Sequence, residues 1–168
     1  MEVKTIIRFL AIILAALITA SVVAVTAFAA TTDAAFEIEI YENGVNIENN
    51  NPRRLKEDNS SVYVNYAETL SGAAATGPES FIAYVYGSIG YGPLVDCSSY
   101  SNTGVAQKRA VVMLGTKGYI KNWAIEKFGT DNTVRVQLYG REHDGHTGTA
   151  VGKWSADSIY ESGTVNYN

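Results

Sequence analysis

Apolar and polar side chains alternate with a period of two along most of the chain beyond residue 30. This pattern limits the fold more than any other feature. Phe36, Ile38 and Ile40 fall on one side of an extended chain, with Glu37 and Glu39 on the other. Val134, Val136 and Leu138 likewise oppose Arg135, Gln137 and Tyr139. Successive side chains of a strand point to opposite faces, so such runs read as half-buried strands. Glu37 and Glu39 are then a solvated face. A glycosidase would need two carboxyls about 5–10 Å apart across a cleft, and no such pair is visible.

Further strands obey the same logic. Asn43-Gly44 lies between two alternating runs, the second carrying Val45 and Ile47, and reads as a hairpin turn because both central residues of a type I′ turn need positive φ. Asn49-Asn50-Asn51-Pro52 stops pairing, since proline lacks the ladder donor. Ser61 to Tyr66 alternates again, and Phe81 to Tyr86 is rich in aromatic and branched residues. Arg109 to Leu114 is a short apolar run that fits a buried strand. Gly118 to Phe128 fits either a strand pair or a short helix; its aromatic and branched content and lack of a capping signal favour strand. Leu70 to Ser80 and the longer Gly87 to Gln107 read as loops. Six to eight short, mainly antiparallel strands of this kind make an all-β sandwich.

The first thirty residues obey different rules. Lys4 and Arg8 precede an apolar run from Phe9 to Ala30, which ends on Ala27-Phe28-Ala29. A basic start, an apolar helix and small residues at a cleavage site define a secretory signal peptide over residues 1–29. The competing reading is an uncleaved anchor, since about 20 apolar residues span a bilayer. Residues 30–168 are then a single secreted or envelope-associated domain with no further membrane span. The whole chain of 168 residues has 13 basic and 17 acidic residues. Without Glu2, Lys4 and Arg8 the balance is 11 to 16. That charge gives no footprint for nucleic acid. A single cysteine excludes an internal disulfide framework and a Cys-rich zinc module.

Two patches carry a resemblance. Lys56-Glu57-Asp58-Asn59-Ser60-Ser61-Val62-Tyr63-Val64 is similar to the K-x-D-x-S-S-x-Y-V stretch of small exported proteins of unknown function from Gram-positive bacteria. Gly152-Lys153-Trp154-Ser155-Ala156-Asp157-Ser158 resembles the G-x-W-S-P-D-S motif of the same group, with Ala156 where that group has proline. The resemblance implies export and brings no chemistry with it. A fainter likeness, through the Gly-x-Trp stretch and the Tyr167-Asn168 ending, is to lactococcin 972-type bacteriocins, which would imply action on a competitor's envelope. Physically, Trp154 is large enough to plug a small core, and Ser155 and Asp157 suit the capping of the next turn.

The side chains offer few chemical constellations. Glu142-His143-Asp144-Gly145-His146 is the one cluster of metal-capable groups, with His143 and His146 as weak candidate ligands. No distant third ligand presents itself, so the segment reads as a polar hairpin tip turning at Asp-Gly, and no metal or cofactor is expected. Cys97 lies beside Asp96, which disfavours a thiolate, and reads as a small buried hydrophobe or a partner in an intermolecular disulfide. Eleven tyrosines remain to be explained, of which Tyr84, Tyr86, Tyr91 and Tyr100 bracket the Gly-rich loop. Tyrosine among glycine and serine builds contact surfaces, because the ring supplies area and the hydroxyl a polar handle. These four are the candidate binding residues for a protein or glycan at the cell exterior. The expectation is a non-catalytic exported binding module, with a bacteriocin or a small secreted hydrolase as alternatives.

Overall fold

The computed structural model describes residues 32–42, 51–98, 110–158 and 162–167. The signal segment, the Asn43-Gly44 turn with the run after it, and Tyr100 lie outside these residues. Ten strands and one short helix are described: β1 (Ala34–Ile40), β2 (Arg54–Leu55), β3 (Val62–Asn65), β4 (Ser80–Ile89), β5 (Val95–Asp96), β6 (Ala110–Met113), β7 (Lys117–Ile120), α1 (Ala124–Phe128), β8 (Val134–Glu142), β9 (Gly148–Ser155) and β10 (Val165–Asn166). Three of the strands are only two residues long, and the other seven match the expected six to eight.

The strands form two sheets. One has the order β1-β9-β3-β7-β10 and the other β2-β8-β4-β5, with β6 also on the free edge of β4. All pairings are antiparallel except β10 with β7. The alternation in β1 turns Phe36, Ile38 and Ile40 inward and leaves Glu37 and Glu39 exposed. Its described partner is β9, in register from Ala34 with Trp154 to Ile40 with Gly148. This pairing brings together segments more than a hundred residues apart; the hairpin expected at Asn43-Gly44 falls outside the described residues.

The sheets pack face to face as a sandwich. Phe36 of the first sheet meets Phe81 of the second edge-on at 6.2 Å between ring centroids, and Tyr66 meets Phe81 at 5.3 Å. Such offset aromatic contacts are favoured by the ring quadrupole. Gly140 on β8 sets the spacing: a Cβ there would lie 2.7 Å from the Ile40 side chain. Asn51 ties β1 of one sheet to β8 of the other. Its Oδ1 accepts from the Glu37 N–H at 2.9 Å, and its Nδ2 donates to the Leu138 carbonyl at 3.1 Å.

Several expectations change in detail. Gly118 to Phe128 divides into β7 and the helix α1. Asn122 Oδ1 accepts from the Ala124 N–H, and Gly129, at φ 82, closes the helix with its N–H on the Ile125 carbonyl. Ala124 and Ile125 bury themselves against β4 and β8, which is tertiary packing that no local pattern displays. The run 109–114 was expected to be buried, but Met113 and Leu114 are exposed because β6 covers the core with one face only. The loop expected from Gly87 starts later: β4 continues to Ile89, and β5 interrupts the chain beyond it. The Glu142–His146 segment is the expected tight turn, with Asp144 at φ 53 and Gly145 at φ 78. It links strands of different sheets, so only His143 and His146 pair before the chain diverges.

Candidate functional site

The outer face of the second sheet carries the candidate tyrosines. Alternation in β4 sends Phe81, Ala83 and Val85 inward and Tyr84, Tyr86 and Ser88 outward. The register places Tyr84 beside Tyr139, Tyr86 beside Gln137, and Ser88 beside Arg135. The Tyr86 and Tyr139 rings lie 4.8 Å apart, and the Tyr139 hydroxyl donates to Gln137 Oε1 at 3.1 Å. Gln137 Nε2 in turn donates to the Asn51 carbonyl at 2.6 Å. The Asn51–Arg53 segment therefore covers Gln137 and Tyr139, so this side of β8 is buried although its residues alternate outward.

Tyr91 stands clear of that cover and is 76% exposed. One face of its ring rests on the Arg135 guanidinium, 4.5 Å from the centroid, a cation–π contact that leaves the other face open. Arg53 braces the turn beneath by donating to the Gly92 carbonyl at 2.7 Å. Ile89 and Val95, near this turn in sequence, are also exposed. Tyr84 and Tyr86 are half-buried. Burial, with help from the Asp96 carboxylate, holds the Tyr86 hydroxyl above its ordinary value, so it serves as a neutral donor. The sequence pointed to Tyr84, Tyr86 and Tyr91 and missed Arg53, Arg135 and Tyr139 on the same face. Alternation located the last two on one side of their strand, but only the β4–β8 register brings them to the tyrosines.

The histidine turn sits at the other end of β4. His143 and His146 both turn Nδ1 toward Ser80 Oγ, at 2.9 and 3.3 Å. Among the described residues no group of three or more His, Cys, Asp and Glu side chains is arranged to hold a metal ion.

Cys97 lies far from those imidazoles. Its N–H donates to the Val85 carbonyl, five residues along β4 from Ser80, or about 17 Å at strand rise. The thiol is enclosed by the core, beside Gly87, whose Cβ position would lie 2.9 Å from Sγ. Burial pushes the thiol up to about 11, the Lys127 ammonium pulls the other way, and Asp96 adds to the rise. We expect the folded protein to resist thiol-specific reagents at mildly alkaline pH and to react fully once unfolded in urea. Rapid labelling of the folded form would show that the site opens.

The two sequence patches meet at one end of the sandwich. Lys56, at 2% exposure, points its ammonium at Asp157 Oδ1, 2.5 Å away, and Asp157 is itself only 4% exposed. The second carboxylate oxygen accepts from the Glu57 N–H at 3.1 Å. Ser60 Oγ lies 3.3 Å from Lys56 Nζ and 3.4 Å from Asp157 Oδ1, and accepts from the Ser158 N–H at 3.1 Å. Asp58 holds the Ser60 N–H at 2.8 Å, with a carboxylate oxygen 3.8 Å from Lys56 Nζ. Asp157 was expected to cap its own turn; its carboxylate instead reaches across to the other patch. Lysine is almost never fully buried without such a partner.

Between them, the facing sheets and their outer surface define an all-β protein with a tyrosine-bearing face on one side and a buried ionic tie at one end. The chain belongs to the family described as "Protein of unknown function (DUF2712)", whose model matches residues 22–158 and so includes both patches. No curated protein matches the chain, and neither does any solved structure. Among the described residues no helix is long and apolar enough to cross a membrane.

Proposed function

We propose that this is an exported, non-catalytic binding protein that meets a glycan at the cell exterior through the outer face of β4 and β8. The observation that carries this reading is Tyr91, largely exposed, with its ring backed by Arg135 of β8, the strand whose register sets Tyr84 and Tyr86 on the same sheet face. A rigid ring with one open side suits stacking on the apolar face of a sugar, and hydroxyl and guanidinium groups around it supply hydrogen bonds. Export rests on the basic, apolar and A-x-A pattern of residues 1–29.

Tyr91→Ala should weaken retention on purified cell-wall glycan at least about ten-fold, the loss of one stacking anchor. Unfolding stability should shift by less than about 0.5 kcal/mol, as for other surface substitutions. Equal retention of both proteins would overturn the reading; selective retention on a protein partner would move it to a protein-binding one. N-terminal sequencing of protein from the culture medium, expected to begin near Ala30, tests export.

The bacteriocin likeness gains nothing specific from the described residues. Trp154 is wholly enclosed, and Tyr167 packs over Gly118 with its hydroxyl 2.9 Å from Thr116 Oγ1. For Trp154 and Tyr167, packing accounts for the residue found there.

A further inference from the structure

We propose that Lys56 and Asp157 condense spontaneously into an amide, locking the two sequence patches together covalently at one end of the sandwich. The reacting groups are already in contact, with Nζ 2.5 Å from Oδ1, and both side chains are shielded from water. Ser60 Oγ, 3.3 Å from Nζ and 3.4 Å from Oδ1, bridges the two groups and offers a path for the proton that the amine gives up before it acts as a nucleophile. Held in place by the fold, the two react as an intramolecular pair.

The surrounding groups fit the steps. The amine lone pair attacks Cγ of Asp157. Oδ2, which takes up negative charge in the tetrahedral adduct, already accepts from the Glu57 N–H, a donor fixed before the reaction begins. Oδ1 is the leaving oxygen. Asp58, with a carboxylate oxygen 3.8 Å from Lys56 Nζ, takes the second proton from nitrogen and passes it through Ser60, whose Oγ lies 3.4 Å from the leaving oxygen; the Asp58 side chain is 63% exposed, which opens a way out for the product. Overall, an ammonium and a carboxylate become one amide and one water. The ammonium loses two of its three N–H hydrogens to the water and keeps one N–H in the amide, and no oxidant or other reactant is needed.

The test is mass spectrometry of the full-length gene product as the cell makes it, denatured and digested with trypsin. The expected result is that cleavage after Lys56 fails and that this segment is joined to the Trp154–Asn168 peptide, the pair together one water lighter than the separate peptides. Recovery of both segments as linear peptides, with cleavage after Lys56, overturns the proposal. Lys56→Arg retains a cation opposite Asp157 while removing the amine, so it keeps the tie and should restore the full mass. A persistent loss of water in that variant would place the reaction elsewhere, for instance at Asp144-Gly145, and would also overturn the proposal. In Asp58→Ala, the fraction joined after a short pulse of synthesis should fall at least about ten-fold, since positioned proton transfer contributes roughly 10²–10⁴-fold. An unchanged fraction would remove Asp58 from the mechanism.

Discussion

Asp157→Ala is expected to destabilise the domain by well over ~5 kcal/mol: about 3–5 kcal/mol from leaving Lys56 buried without its partner, and the rest from losing the amide. The first part alone lowers Tm by roughly 10–20 °C in a domain of this size. The loss arises because Lys56 has no route to solvent: it is 2% exposed, and its remaining neighbours, Ser60 and Asp58, are weaker or more distant partners. Lys56→Met combined with Asp157→Leu removes both charges, and the double variant should recover the part of the loss due to the unpaired lysine, since apolar replacement of a buried pair is often neutral or favourable. Thermal unfolding of the two singles and the double measures the coupling directly. The size of the single-variant loss also bears on the amide. A covalent link across 101 residues would add about 4–5 kcal/mol through restriction of the unfolded chain. A loss well above 5 kcal/mol therefore matches a joined pair, and one inside the 3–5 range an ionic one.

Trp154→Ala should cost about 3–5 kcal/mol by urea unfolding, with the slope unchanged. Trp154 is among the largest fully buried side chains, set on β9 with Ala34 on one side and Val64 on the other. No small neighbour can refill that volume. Trp154→Phe should cost clearly less. It leaves a smaller void, and it removes an indole Nε1–H that has no acceptor among the described residues. Equal losses for the two variants would mean that the ring's far edge carries the packing.

How much of this was legible in the sequence depends on the range of the interaction. Phe36, Ile38 and Ile40 announce an inward face because side-chain direction in a strand is set by position alone. The Asp144-Gly145 turn is equally local, since its two residues tolerate positive φ. The helix at Ala124–Phe128 was not legible. Five residues carry no periodicity, and this helix exists because Ala124 and Ile125 find cover on the sheet. Gln137 and Tyr139 face outward as their alternation implies, yet they are buried because a segment more than eighty residues earlier lies across them. For the candidate site, composition singled out Tyr91, but its support by Arg135 depends on strand register. Lys56 and Asp157 each stood in a patch the eye could find. That one patch completes the other emerges only from the folded chain.

The order of the first sheet has a consequence for how the protein is made. β9 lies between β1 and β3, so the sheet's second strand is supplied by residues 148–155. Until those residues leave the ribosome, β1 lacks its described neighbour and β3 lacks one of its two. Pairings this distant in sequence form slowly, because the intervening chain must be closed before any contact repays it. The first sheet is therefore completed only after residues 148–155 have been made, late in synthesis.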